Sequence, residues 1–325
     1  MKRLFRNSLL LASTILFSLI GRAAEVSYEL TVAKDGSGNY TTIQAAINDA
    51  KSFPDAPIII RIKKGVYNEK VCIYAWNNKL TLIGEDPKNT IITFGDYFKS
   101  INLGRNSTFR TYTLKVESND VRIENLSIIN SAGKVGQAVA LHLEGDRCVI
   151  KNCRLLGNQD TLYADGEGSR QYFSQCYIEG TTDFIFGQAT ALFDDCELHS
   201  KSDSYVTAAS SIKGQAYGFV FRHCTLTAQS GVKNCSLGRP WRDYANVVFL
   251  NCTMGAHIKA EGWSDWGNTN RKETAYYAEY LSTGEGANAS ARLDWTHQLS
   301  KKQAKQYSTE KIFFKSKNDN WNPIL

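Results

Sequence analysis

The sequence has 325 residues, of which 42% are hydrophobic and 22% charged, and only five are proline. This composition excludes a disordered or collagen-like chain and fits a compact or solenoid protein. The net charge is +6, but residues 1–23 hold four of the 38 basic residues and no acid, so the rest has 34 basic against 32 acidic residues. A nearly neutral chain gives no reason to expect nucleic acid as a partner.

The first 23 residues are typical of a secretory signal peptide. Lys2, Arg3 and Arg6 precede an apolar run at 9–20, and Gly21 and Ala23 are the small residues that a signal peptidase reads. A membrane anchor is the alternative, but the run has only about a dozen residues where a span needs about 20. We therefore expect a secreted protein (extracellular, periplasmic or in a cell wall) that has no membrane attachment after cleavage, with residues 24–325 as one domain.

The next predicted element is a short helix. Thr42 is a good N-cap for an amphipathic segment at 43–47. Such a helix can cover the open end of a solenoid, which otherwise presents unpaired strands.

From residue 121 the chain repeats a short pattern. Six segments share one register at spacings of 20 to 28 residues, the range of one solenoid coil: 121–128, 148–155, 171–178, 191–198, 219–226 and 247–254. In each segment apolar residues alternate on both sides of a polar fifth residue, which we expect at a sharp corner between two strands. The pattern predicts an all-β fold, a single-stranded right-handed parallel β-helix.

This register also predicts two interior columns. Phe173, Phe193, Phe221 and Phe249 would stack in one, and five cysteines would form the other: Cys153, Cys176, Cys196, Cys224 and Cys252. Strands about 4.8 Å apart hold stacked side chains farther apart than a disulfide allows, so we expect free thiols there. Cys72 and Cys235 lie outside the column, and the sequence leaves open whether they pair. After about Trp266 the repeat fades into a tail, with a helix expected at 299–304 along the side of the solenoid.

Two aspartates occupy equivalent places on neighbouring coils. Asp160 and Asp183 each lie eight residues after a corner, at Asn152 and Gln175. Without a bulge the carboxylates stack about 5 Å apart, and two such carboxylates cannot both ionise easily, so one pKa rises while the other stays low. Two solvated surface acids are the ordinary alternative.

Other chemical groups are less informative. Arg239 is held in extended backbone by Pro240 and precedes Trp241, where it can orient a carboxylate and keep its pKa low. Asp194 and Asp195 could be a second acid pair, although Asp195 has the repeating corner position. The five histidines are scattered, which argues against a catalytic role for them.

These residues resemble the pectin methylesterases (pectinesterases). The matching motifs follow the family's order over roughly residues 30 to 315: Gly65-Val-Tyr-Asn-Glu69, Thr108-Phe109, Gln137-Ala-Val-Ala-Leu141, Gln159-Asp-Thr-Leu-Tyr163, Asp183-Phe-Ile-Phe-Gly187, Leu237-Gly-Arg-Pro-Trp241 and Gly262-Trp-Ser-Asp-Trp266. The resemblance implies a pectin lyase-like solenoid that hydrolyses methyl esters of homogalacturonan, as a monomer and without metal or cofactor. Thr111-Tyr-Thr113 departs from the usual Ser-Ala-Thr, which puts fine substrate preference in doubt.

The resemblance also implies residue roles. Asp183 would be the nucleophile, Asp160 the general acid and base, Gln137 and Gln159 the oxyanion donors, and Arg239 the partner of Asp183. The implied substrate contacts are Trp241, Thr108, Tyr163 and Phe186, together with Gln137 and Arg239.

Three other kinds of protein stay open at this point: a chain-cleaving pectin enzyme, a pectin-binding protein and an esterase of different specificity. A polygalacturonase or pectate lyase can use a similar solenoid, although a lyase would want a calcium-binding carboxylate cluster. A noncatalytic pectin-binding solenoid would have little use for the ordered Asp and Gln set. An esterase for a different ester is the third alternative.

Overall fold

A computed structural model of the protein describes residues 28–267, 269–319 and 321–324. The predicted signal peptide lies outside the described residues. Within the part of the chain that the structure describes, no helix has the length and apolar character to span a membrane.

The strands of the described residues form three parallel sheets. The largest has eleven strands: β1 Tyr28–Val32, β2 Ile58–Ile62, β5 Leu80–Gly84, β8 Arg122–Glu124, β11 Cys148–Lys151, β14 Arg170–Ser174, β17 Thr190–Asp194, β20 Phe219–Arg222, β23 Asn246–Leu250, β25 Tyr276–Tyr280 and β26 His297–Gln298. The second has eight: β3 Gly65–Asn68, β6 Thr90–Phe94, β9 Ser127–Asn130, β12 Arg154–Leu156, β15 Tyr177–Gly180, β18 Glu197–Ser200, β21 Thr225–Ala228 and β24 Thr253–Met254. The third, which we call the site sheet, has seven: β4 Val71–Ile73, β7 Leu114–Val116, β10 Leu141–Leu143, β13 Leu162–Ala164, β16 Ile185–Gly187, β19 Tyr205–Ala209 and β22 Ser236–Gly238.

Through the central coils, each strand pairs with the strand three places later in the chain, so one coil contributes one strand to each sheet. That connectivity defines a parallel β-helix, as the repeat predicts. The predicted corners are also confirmed, because all six fifth-position residues have left-handed backbone with φ between 48° and 59°. Four of the six are Asn or Asp, which tolerate this conformation better than other non-glycine residues.

The interior contains both predicted columns. Phe173, Phe193, Phe221 and Phe249 stack with ring centroids 4.5, 4.5 and 4.4 Å apart, and all four are fully buried. The five column cysteines are buried and free, and their thiols donate to backbone carbonyls, as Cys153 Sγ does to Lys151 O at 3.3 Å. Cys72, half-buried, and Cys235, buried, are free as well.

Short helices lie at the two ends of the described chain. Helix α1 (Ile43–Asp49) is capped by Thr42 and buries Ile43, Ala46 and Ile47 against the first coils. Near the C-terminus, α3 (Lys301–Ala304) and α4 (Thr309–Phe313) lie along the outer face of the eleven-stranded sheet. A four-residue helix, α2 (Phe98–Ile101), and four 3₁₀ turns (Gly104–Asn106, Thr108–Arg110, Thr269–Glu273 and Ala289–Ala291) complete the regular structure.

Candidate active site

Asp160 and Asp183 lie two residues before β13 and β16, which are neighbours in the site sheet. Leu162 pairs with Ile185, so the two aspartates hold equivalent positions on successive coils, as the count from the corners predicts. Backbone hydrogen bonds fix them, Asp160 N to Thr182 O at 3.1 Å and Asp183 N to Tyr205 O at 2.8 Å. Both have left-handed backbone, with φ of 66° and 48°, and their exposed fractions are only 7% and 6%. Strained, buried acids of this kind are typical of functional sites.

Arg239 comes directly after β22 and binds one of these acids. Its Nε and Nη2 donate to the two carboxylate oxygens of Asp183 at 2.9 and 2.6 Å. The backbone is positioned by Arg239 N donating to Thr207 O at 3.0 Å. Gly238 permits this approach, because a Cβ there would lie 2.1 Å from Thr207 Oγ1. The planar guanidinium therefore holds Asp183 in one orientation.

The two carboxyl groups have different electrostatic environments. Burial raises the pKa of Asp160 well above its ordinary value, the negative charge of Asp183 raises it further, and Arg239 opposes the change. Burial also raises the pKa of Asp183, although the hydrogen bonds and charge of Arg239 lower it. The expected low pKa of Asp183 is therefore not found, because desolvation outweighs the ion pair. Asp160 is still the acid that holds its proton more strongly.

Gln137 and Gln159 pair in a parallel β-bridge on adjacent coils, and Ala138 N donates to Gln159 O at 3.1 Å. Thr108 begins a 3₁₀ turn and is 8% exposed. Both glutamines and Thr108 line the same pocket of about 320 Å³ as the two aspartates and Arg239. The structure thus brings neutral amide donors beside the acid pair.

Aromatic rings flank this pocket. Phe186 and Trp241 line it, with ring centroids 5.7 Å apart. Tyr163 stacks on Phe186 at 4.6 Å but lines an adjoining pocket, which shares Phe109 and Trp241 with the first. Of the nine predicted site residues, Tyr163 is the one that lies beside the acid pocket instead of in it.

Four lining residues were not singled out from the sequence: Arg105, Phe109, Ala208 and Trp266. Phe109 and Trp266 end two of the motifs that carry the family resemblance, so the motifs held a signal for them. Ala208 on β19 pairs with Phe186 on β16 in the site sheet. Nothing in the sequence distinguishes Arg105 from other surface arginines.

The alternative acid pair has a structural role. Asp194 accepts two hydrogen bonds from Arg222, at 2.9 and 2.5 Å, on the eleven-stranded sheet, and Asp195 is an exposed corner residue. No histidine lines the acid pocket within the described residues. His142, in β10 of the site sheet, is buried beside Tyr163, and its Nε2 is hydrogen-bonded to Glu144 at 2.9 Å.

The fold and the site together define a class of parallel β-helix proteins, those that carry a buried acid pair, an arginine and amide donors in an aromatic-flanked pocket. Comparison with known proteins names the family. The Pectinesterase family model matches residues 29–317. Pectinesterase 31 of Arabidopsis thaliana is 37% identical over 276 residues, which cover 82% of this chain and 86% of that protein. The chain therefore belongs to the pectinesterase family, whose members are carboxylic ester hydrolases.

Solved structures agree with this assignment. Pectin methylesterase from carrot matches with a TM-score of 0.83 and 30% identity, covering 89% of this chain and 94% of that one. A pectin methylesterase in complex with a hexasaccharide matches with a TM-score of 0.77 and 31% identity, covering 92% and 99%. The fold is thus the right-handed parallel β-helix of these enzymes. Some curated relatives are longer. Probable pectinesterase/pectinesterase inhibitor 64 of Arabidopsis thaliana is 35% identical over 320 residues. The match covers 89% of this chain but only 51% of that protein, so the chain spans about half of its length.

Proposed function

We propose that this protein hydrolyses the C6 methyl esters of homogalacturonan to pectate and methanol. The observation that carries the proposal is the acid pair, Asp160 and Asp183, of which only Asp183 is bound by an arginine. The similar pectin methylesterase that was solved in complex with a hexasaccharide supports a carbohydrate chain as the substrate.

Asp183 is the nucleophile in the proposed reaction. Its ionised carboxylate attacks the ester carbonyl carbon, and the tetrahedral intermediate collapses to an acyl-enzyme anhydride. The methoxide leaving group takes its proton from Asp160, whose raised pKa keeps it protonated, and departs as methanol. Asp160 then accepts a proton from water, and the resulting hydroxide attacks the substrate carbonyl of the anhydride. The bond between that carbonyl and the Asp183 oxygen breaks, which returns the Asp183 carboxylate and releases the product acid. The product acid loses its proton to solvent and becomes pectate.

Gln137 and Gln159 would donate hydrogen bonds to the oxyanion of each tetrahedral intermediate. Neutral amides suit this task because they donate over the whole pH range and do not compete for the proton of Asp160. Arg239 favours the ionised form of Asp183 and aims its oxygens. The reaction as proposed uses only protein side chains and water.

The aromatic rings and Thr108 would position the polymer. Trp241 is half-buried and would offer a face on which a galacturonate ring can stack beside the acid pair. Phe186 and Tyr163 are only 4% and 7% exposed, and they would shape the walls of the two adjoining pockets. Methyl-esterified homogalacturonan is the partner that we propose. We further propose that residues 1–23 direct secretion and that residues 24–325 act as one monomeric domain, in keeping with a polymer substrate outside the cell.

The test is methanol release from highly methylated pectin by the purified protein. Wild-type protein should release methanol without new reducing ends or unsaturated ends. Asp183→Asn should lower the rate at least about 1,000-fold while polymer binding is retained. Asp195→Asn is the matched control, because it makes the same change at an exposed residue with left-handed backbone.

Other outcomes would point to the alternatives. New reducing ends without methanol would indicate a polygalacturonase, and unsaturated ends a lyase. A folded protein that is silent in all three assays would be a pectin-binding solenoid or an esterase for another ester.

A further inference from the structure

The guanidinium of Arg239 lies against two aromatic rings. Its Cζ is 3.6 Å from the ring centroid of Trp266 and 4.1 Å from that of Tyr205. Nε and Nη2 donate to Asp183, while Cζ lies over both rings. A cation at these distances from an aromatic face is attracted by the ring quadrupole, more strongly where water is excluded.

Both rings are held by the backbone of the site itself. Tyr205 begins β19, and its carbonyl accepts the hydrogen bond from Asp183 N at 2.8 Å. The segment that ends in Trp266 is tied to β22, because Leu237 N donates to Gly262 O and Ser264 N donates to Gly238 O. Each ring therefore belongs to an element that is bonded directly to the nucleophile's coil or to the arginine's strand.

Trp266 also has an unfavourable backbone conformation. Its φ is 64°, in the left-handed region that large side chains seldom occupy, and its N–H donates to Ser264 Oγ at 3.2 Å. Strain of this kind persists where surrounding contacts impose it, most often at functional sites. Here the strained residue is the one whose ring lies on the arginine.

We infer that Tyr205 and Trp266 are positioning residues that clamp Arg239 in the plane required to hold the Asp183 carboxylate for attack. The inference rests on the proposed function, because it assigns the rings a role in the step that Asp183 performs. This role differs from direct sugar binding, because the face of Trp266 that contacts Arg239 is occupied by the guanidinium and cannot also stack on galacturonate.

The first test needs no enzymatic activity. Hydrogen exchange of the Arg239 Nε–H reports how firmly the guanidinium is held to Asp183. The Nε–H resonance is assigned as the one that disappears in Arg239→Lys. Tyr205→Leu and Trp266→Leu remove the aromatic face and should each speed exchange about tenfold or more. Tyr205→Phe and Trp266→Phe keep an aromatic face and should exchange at nearly the wild-type rate. Unchanged exchange in both leucine variants, with melting temperatures near wild type, would overturn the clamp.

The second test is a double-mutant cycle on methanol release. In wild-type background each leucine variant should lower kcat about tenfold with little change in KM. In an Arg239→Lys background, whose ammonium has no planar face to hold, the same substitutions should cost less than about twofold. Equal losses in the two backgrounds, or losses confined to KM, would make the rings sugar contacts and overturn the inference.

The two tests also separate failure of the clamp from failure of the proposed function. If wild-type protein releases no methanol, the proposed function fails while the exchange measurement still decides whether the rings hold Arg239. If one leucine variant does not fold, the other ring provides the same measurement, because each ring contacts the guanidinium directly.

Discussion

Replacing Asp160 with Asn should raise the stability of the protein while it abolishes methanol release. Asp160 is 7% exposed, and none of the described residues forms a hydrogen bond with its carboxylate. The charged form is therefore disfavoured by burial and by the neighbouring charge of Asp183. Asn has nearly the same shape, carries no charge and tolerates the left-handed backbone at φ 66°. The substitution removes the group whose ionisation is disfavoured in the folded protein and preserves the fold.

The pH dependence follows from the direction of the pKa shift. Below the ordinary Asp value of 3.8 the carboxyl is protonated in both folded and unfolded chains, so it costs nothing. As the pH rises, the unfolded chain loses its proton first and the wild-type protein loses stability, until the full cost is reached above the folded-state pKa. Removing this ionisable group should therefore give Asp160→Asn a melting temperature about 2 °C or more above wild type at neutral pH.

Thermal unfolding of wild type, Asp160→Asn and Asp195→Asn from pH 3 to pH 8 is the assay. The difference between Asp160→Asn and wild type should vanish at pH 3 and grow as the pH rises. Asp195→Asn is the control, because Asp195 is exposed with φ 54° and should show no such trend. A variant that is less stable than wild type at pH 7, or a difference independent of pH, would refute the assignment of Asp160 as a buried acid with a raised pKa.

Two further predictions concern the ion pair and the core. Arg239→Gln removes the counter-charge from buried Asp183, so the acidic limb of the pH profile for methanol release should move up by about one to three pH units. Arg222→Gln is the control: it breaks the similar ion pair with Asp194 outside the site and should leave the acidic limb in place. Phe221→Ala empties a fully buried place between two rings 4.5 and 4.4 Å away and should lower the free energy of unfolding by about 3 to 5 kcal/mol. Denaturant titration measures this free energy. Phe314→Ala is the control, because that ring is 58% exposed, and it should change the free energy of unfolding by less than about 0.5 kcal/mol. A similar loss in both variants would contradict the stacked phenylalanine column.

The sequence by itself determined the architecture. A parallel β-helix repeats one local unit, so apolar alternation, a corner residue and a constant register are all visible in short segments. Asn125 and Asn152 could be placed at corners because few other residues adopt left-handed backbone readily. The same register predicts equivalent positions for Asp160 and Asp183, because residues at the same distance from the corner of neighbouring coils lie side by side in one sheet.

Only the tertiary structure decided the electrostatics and the surroundings of the pair. The sequence indicates that Arg239 can lower the pKa of Asp183. Whether this effect is larger than the rise caused by burial depends on how completely the surrounding elements exclude water. The rings of Tyr205 and Trp266 come from residues 61 positions apart in the sequence, and both contact one guanidinium. No local pattern encodes such a contact, because it depends on the loops between coils, whose lengths and paths do not repeat.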